Sequence, residues 1–215
     1  MRNIFSPEST LMRFLSRLFD IVALCVVYVL FSLPVITIGA AQAGLSSAIR
    51  SMLDPCAEQT PFRAFLKGFS TGFGKITVVW LCCFIPLMCT FYLLVGAVTS
   101  EAEISPLFSL ISIIIIFFFT SVQVMSSLIH ARFDCRLFDL IKNSLLMVAK
   151  YPFRALTMGI LVWAPLVFAI SELYVFFAFS PFFVFFYYSL VFMLCYYLMR
   201  KPFHRIVEIH FPDEE

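Results

Sequence analysis

Long runs of apolar residues, separated by short polar segments, make up most of this 215-residue chain. Residues 76–100, 104–129 and 173–199 contain no charged residue at all. Because a membrane-spanning helix needs ~20 mostly apolar residues, these runs and the apolar residues after Arg154 predict four spans. Their predicted bounds are 75–98, 106–129, 155–173 and 181–199. The pattern therefore predicts an all-α fold, a polytopic transmembrane helical bundle.

The apolar stretch between Arg17 and Arg50 allows three interpretations. In the first it is a helical hairpin, in which residues 15–33 cross outward, Pro34 breaks the helix, and a short segment over residues 37–52 returns with Thr37 as its N-cap. In the second, residues 2–43 are a signal peptide. In the third the stretch crosses once, which gives five spans. The hairpin gives about six membrane segments and is favoured because it keeps Arg17 and Arg50 on one side.

The short segment 37–52 has small residues at every fourth position, namely Gly39, Ala43 and Ser47. Small faces of this kind let helix backbones approach closely inside a membrane. Sixteen helical residues rise only ~24 Å, which is less than the ~30 Å hydrocarbon core. The segment is therefore expected to be tilted, buried in the bundle, or re-entrant.

The fifteen Lys and Arg residues fall into clusters at the ends of the predicted spans. Basic residues remain on the cytoplasmic side of a membrane, so both termini are predicted to be cytoplasmic. Charged residues make up only 13% of the chain, where a soluble domain has about a quarter. The net charge of +2 does not suggest nucleic acid as a partner, and the expected partner is the lipid bilayer.

Two amphipathic segments on the cytoplasmic side are predicted to be short interfacial helices. The first begins at Pro61 and runs to Phe73, and the second runs from Asp134, as its cap, to Lys150. Their aromatic and charged side chains are the candidate contacts for a protein partner: Phe62, Phe65, Lys67, Phe69, Arg136, Asp139 and Lys142.

The predicted spans contain almost no ionisable residue, and the three histidines lie at or beyond cytoplasmic helix ends. No histidine lies inside a predicted span, where it could activate a serine, and the seven cysteines include no C-x-x-C pair. We therefore expect no enzymatic activity, no cofactor and no metal site. Polar and small residues inside the membrane are candidates for helix packing or for the polar lining of a solute path: Pro34, Thr37, Gly39, Gln42, Ala43, Ser47 and Gln123.

Three stretches resemble the YesL family, a group of small bacterial membrane proteins with a domain of unknown function. Residues 31–41 match its S-L-P-x-x-T-I-G-A segment, and residues 62–69 and 131–144 follow in the same order. The chain departs from the family at Cys25 and Gly72, where the family usually has Asn, and at Tyr28, where it usually has Trp.

The resemblance implies a protein of the bacterial cytoplasmic membrane whose relatives are often encoded beside genes for oligosaccharide uptake and breakdown. From this resemblance we expect a non-enzymatic accessory protein that binds to subunits of an ABC-type sugar importer. The alternative is that the bundle itself transports a small neutral solute. The chain is not expected to be the permease subunit, since it lacks the E-A-A-x-x-x-G segment with which such permeases dock their ATPase.

Overall fold

The computed structural model describes residues 10–54, 59–99, 106–171 and 186–210, and every regular element in these ranges is helical. A single 3₁₀ turn, Val35–Thr37, lies between the first two helices. The helices are α1 (Thr10–Ser32), α2 (Ile38–Leu53), α3 (Pro61–Thr99), α4 (Pro106–Arg132), α5 (Leu137–Lys150), α6 (Pro152–Ser171) and α7 (Tyr188–His210).

Three helical stretches are long and apolar enough to cross a membrane: Leu15–Ser32, Pro61–Leu93 and Leu107–Arg132. Helices α5 and α6 form a fourth candidate if they are taken together as one span bent by 104°. Long apolar helices of this kind fit a multi-pass membrane protein with a helical bundle fold. The count of six segments, with five as the alternative, stays a prediction, and its spans 155–173 and 181–199 extend partly outside the described residues.

The chain turns between α1 and α2 at Pro34, as predicted. Pro34 is extended (φ −74°, ψ 120°) and cannot continue a helix. Thr37 occupies the N-cap position of α2, as predicted, but its backbone is helical (φ −86°, ψ −4°) and its side chain makes no capping hydrogen bond. Its hydroxyl instead donates to the carbonyls of Phe31 (2.6 Å) and Pro34 (2.7 Å). The Pro34 carbonyl also accepts the backbone N–H of Thr37 (2.9 Å).

Helix α2 occupies the centre of the bundle and contacts α1, α3, α4 and α7. Ten of its sixteen residues are buried. A Cβ atom at Gly39 would lie 2.7 Å from Cβ of Trp80, and one at Gly44 would lie 2.9 Å from the carbonyl oxygen of Phe65. The close approach of α2 and α3 therefore depends on these glycines.

Residues 61–73 do not form the separate interfacial helix that was predicted. They are the first turns of α3, which continues for 39 residues without a break. These turns pack lengthwise against α2, and Phe65 is fully buried there. A helix of this length extends ~58 Å, about twice the hydrocarbon core, so part of α3 must lie outside it.

Helix α5 begins at Leu137 rather than at Asp134, and its N-cap position is Arg136, with no hydrogen bond from the cap side chain. Asp134 does not cap it because its carboxylate pairs with Lys75 of α3. The chain then bends sharply at Tyr151 and Pro152 into α6. Helix α5 is amphipathic, and its fully buried side is formed by Leu140, Ser144, Met147 and Val148.

Candidate functional site

A row of three polar contacts joins α2 to α4. In each contact the two residues are 81 positions apart. Because the contacts recur every four residues on both helices, α2 and α4 run parallel and in register. The contacts, which we call the polar ladder, are Gln123 Nε2 to Gln42 Oε1 (3.0 Å), Ser46 Oγ to Ser127 Oγ (3.1 Å), and Arg50 Nη1 to the Ala131 carbonyl (2.6 Å).

The two amides of the polar ladder are enclosed by the bundle. Gln42 is 6% exposed and Gln123 is 8% exposed. Two buried amides that bond to each other remove the cost of leaving polar groups unpaired in an apolar interior. Interhelical hydrogen bonds of this kind contribute ~0.6 kcal/mol on average inside membranes. The arrangement is therefore that of helix packing, although sequence alone also allowed a polar lining.

Arg50 links the polar ladder to the end of α4. Its Nη1 donates to the carbonyls of Ala131 (2.6 Å) and Arg132 (3.3 Å). The last carbonyls of a helix have no partner within the helix, and they carry the negative end of its dipole. A guanidinium supplied by α2 thus satisfies these carbonyls and closes one end of the bundle.

A polar pocket of about 610 Å³ opens at this end, where α2 ends, α3 begins and α4 ends. We call it the end pocket. Its charged and titratable lining consists of Arg50, Asp54, Lys67, His130, Arg132 and Asp134. Of the candidate contact, packing and lining residues named from the sequence, Ser47 and Lys67 line it.

An ion pair fixes one wall of the end pocket. Lys75 Nζ donates to Asp134 Oδ1 at 2.7 Å, which ties α3 to the segment between α4 and α5. The hydrogen bond from this ammonium group, together with its charge, lowers the pKa of the Asp134 carboxyl below its ordinary value. Because Asp134 is 91% exposed, solvent screens the pair, and its contribution to stability is small.

The lining of the end pocket also includes two side chains with buried atoms that lack a hydrogen-bond partner. Within the described part of the chain, these atoms include His130 Nδ1 and Arg132 Nη1. His130 contacts Thr71 through its other ring nitrogen at 3.4 Å. The guanidinium of Arg132 stacks over the rings of Tyr196 and Phe203, with distances of 5.9 and 5.3 Å to their centroids, so cation–π attraction positions it.

The structure divides the candidate partner contacts into accessible and inaccessible residues. Phe62 is 51% exposed, and Lys67, Arg136, Asp139 and Lys142 are also exposed. Phe65 is fully buried, so its proposed role as a partner contact is wrong.

Phe69 is only partly accessible, because its ring packs against that of Phe31, with the centroids 4.9 Å apart. Sequence reasoning assigned Phe65 and Phe69 to one outward face because it treated residues 61–73 as a helix that lies on the membrane surface.

Among the described residues, no group of three or more His, Cys, Asp or Glu side chains could hold a metal ion. The lining of the end pocket holds cationic groups and hydroxyls beside the carboxylates of Asp54 and Asp134. Its cationic groups and hydroxyls suit noncovalent binding of an anion.

Part of the chain matches a known protein family. The family described as "Protein of unknown function, DUF624" matches residues 21–96. This region begins in α1 and includes the turn at Pro34, all of α2 and most of α3, and it contains two of the three stretches that resemble YesL proteins. No curated protein and no solved structure matches the chain.

Proposed function

We propose that this protein is a non-enzymatic membrane partner of a bacterial carbohydrate uptake system of the ABC type. The observation that supports the proposal is the accessible polar side of α5, beside the end pocket. In this proposal the protein lies in the bacterial cytoplasmic membrane with both termini in the cytoplasm, and α5 lies along the inner surface of that membrane.

Helix α5 has the side-chain arrangement of a helix at a membrane interface. One flank carries Phe138 and Leu145, which are 85% and 46% exposed. The other flank of the exposed arc carries Asp139 and Asn143, both exposed, and Lys142 and the 57% exposed Leu146 lie between the two flanks. An interfacial helix buries its apolar arc in the headgroup region and leaves its charged arc in water. The charged arc of α5 is therefore available to a soluble or peripheral protein domain.

The bend between α5 and α6 supports the same placement. If α6 crosses the membrane, a bend of 104° directs α5 almost parallel to the membrane plane. Arg136 and Lys142 then face the cytoplasm, where the nucleotide-binding subunits of an importer lie. The resemblance to the YesL family, whose members are often encoded beside oligosaccharide uptake genes, supports the choice of partner.

The alternative, transport of a small solute by the bundle itself, gains no support from the polar ladder. A solute path needs polar groups that face open space, whereas Gln42 and Gln123 bond to each other and are almost completely buried. We therefore place the function on the surface of α5 and not in the interior.

The proposal is tested by purifying the tagged protein from its native membrane in mild detergent and identifying the proteins that come with it. We expect stoichiometric recovery of importer subunits with the wild-type protein. We expect loss of these subunits with the double variant Arg136→Glu/Lys142→Glu, because charge reversal repels a complementary partner surface.

Arg63→Glu is the matched control. Arg63 is exposed near the start of α3 and belongs neither to α5 nor to the end pocket lining. This variant should keep the partners. Recovery of the wild-type protein alone from several detergents would show that the proposed accessory role is incorrect.

A further inference from the structure

The end pocket has the size of a small-molecule site. Its volume of about 610 Å³ lies within the ~300–1,000 Å³ that is typical of ligand pockets. Three helix ends form it, and the contacts of Arg50 with α4 hold two of them together. The pocket is therefore built mainly by helix ends, and Asp54 and Gln59 of the connection between α2 and α3 complete its lining.

The charges around the end pocket favour an anion. Counting Lys75, which pairs with Asp134, four cationic side chains face two carboxylates. Lys67 and Arg132 have no ion pair with a carboxylate in the described part of the chain. Uncompensated cations in a concave site concentrate the field and attract a negatively charged ligand.

The hydroxyl groups of the pocket are oriented to accept hydrogen bonds. Ser47 Oγ already donates to the Ala43 carbonyl (2.9 Å), and Ser51 Oγ donates to that of Gln59 (2.8 Å). Thr71 Oγ1 likewise donates to a carbonyl of its own helix, at 2.9 Å. A hydroxyl has one proton and two lone pairs, so the groups that remain available here are acceptors. They suit ligand groups that carry O–H protons.

From these two features we propose that the end pocket binds a phosphate ester of a polyol. The ammonium and guanidinium groups of Lys67 and Arg132 bind the phosphate, since guanidinium matches phosphate geometry especially well. The Ser and Thr hydroxyls accept hydrogen bonds from the polyol. A soluble glycerol or sugar phosphate has this chemistry, and so does a phosphatidylglycerol headgroup that enters from the adjacent membrane.

Two assays on the full-length purified protein separate these sources. In the first, thermal unfolding in detergent is followed with glycerol 3-phosphate, and uncharged glycerol serves as the ligand control. In the second, native mass spectrometry records the lipid retained from nanodiscs of phosphatidylglycerol or of phosphatidylcholine. A midpoint that rises with glycerol 3-phosphate identifies a soluble ligand, whereas selective retention of phosphatidylglycerol alone identifies the headgroup.

The variants show whether binding occurs in the end pocket. Lys67→Gln removes one phosphate contact from an exposed side chain, and we expect affinity to fall about tenfold, as for the loss of one charge-assisted hydrogen bond. Arg63→Gln, one turn earlier on α3 and outside the pocket, should bind as the wild type does.

Arg132 also packs on two aromatic rings, so Arg132→Lys, which keeps the charge, is preferred to removal of the side chain. It should weaken binding less than Lys67→Gln does. Two results would overturn the proposal: no response to either probe, or equal binding by the wild type and Lys67→Gln. Neither result depends on whether importer subunits copurify.

Discussion

The close packing of α2 on α3 predicts the effect of a single methyl group at Gly44. In Gly44→Ala, the added Cβ would lie 2.9 Å from the carbonyl oxygen of Phe65 and 3.1 Å from its ring. Ordinary contacts between such atoms are longer by about half an ångström. Neither neighbour can give way easily, because the carbonyl belongs to the backbone of α3 and the ring is fully buried. The two helices must therefore move apart.

The size of the effect follows from a comparison with Gly74→Ala. Both glycines lie inside helices, where replacing Gly by Ala gains up to about 1 kcal/mol of helix propensity. At Gly74 no atom lies within 4 Å of the added Cβ, so only this gain applies. At Gly44 overpacking adds a cost of about 1–3 kcal/mol. We therefore expect Gly44→Ala to be less stable than Gly74→Ala by about 1–3 kcal/mol.

This difference is measured by reversible unfolding of the purified variants in mixed micelles. The fraction of denaturing detergent is increased stepwise, and unfolding is followed by far-ultraviolet circular dichroism. The comparison of two Gly→Ala variants cancels most of the propensity term. If the free energies of unfolding of both variants agree within about 0.5 kcal/mol, the scale of additivity errors, then α2 and α3 do not approach as closely as the structure indicates.

Two further predictions concern the polar ladder and the end pocket. Gln42→Leu or Gln123→Leu alone should lower the free energy of unfolding by about 1–3 kcal/mol, because each leaves a buried amide without its partner. The double variant should recover part of this loss in a double-mutant cycle, and strict additivity would show that the two amides do not interact. The second prediction concerns pH. Pairing with Lys75 lowers the pKa of the Asp134 carboxyl. The stabilising effect of the pair is therefore present above the ordinary Asp pKa and is lost as the pH falls through the lowered value. The wild-type protein should therefore lose a little stability as the pH falls into the acid range, and Asp134→Asn should lose less. Thermal unfolding across pH measures this difference, and the same pH dependence in both proteins would exclude a role for the pair.

The parts of the fold that follow from local sequence could be predicted. Pro34 stops a helix whatever surrounds it, so the end of α1 was predictable. The apolar run of α4 predicted the span 106–129, and the helix begins at the same proline and ends three residues later. Hydrophobicity and backbone chemistry act over a few residues and need no knowledge of the tertiary packing.

The features that depend on tertiary contacts could not be predicted. Phe65 belongs to an amphipathic pattern that is typical of a surface helix, but α2 covers that face and buries it. Asp134 occupies a sequence position that suits a helix cap, but the ammonium group of Lys75, 59 residues away in sequence, binds it instead. Local patterns show which side chains can be buried and which can cap a helix. They do not show which distant helix will meet them.

The end pocket is the clearest case of this kind. Arg50 and Arg132 each appear in the sequence only as the basic flank of a span. They come together because α2 and α4 are parallel with a constant offset of 81 residues, and no local feature of the chain encodes that register.

The register of α2 also bears on whether residues 37–52 cross the membrane. The first turn of α2 lies beside Ile76 and Trp80, since Gly39 meets both. About 19 residues of α3, or ~28 Å of helix, continue beyond Trp80 to its end at Thr99. The turn before α2 therefore lies beside the middle of α3, and Leu33 and Ile36 in that turn are 72% and 60% exposed. Exposed apolar side chains at that level suit contact with lipid. We therefore expect a re-entrant hairpin rather than a complete crossing, and an α2 of only sixteen residues is consistent with this expectation.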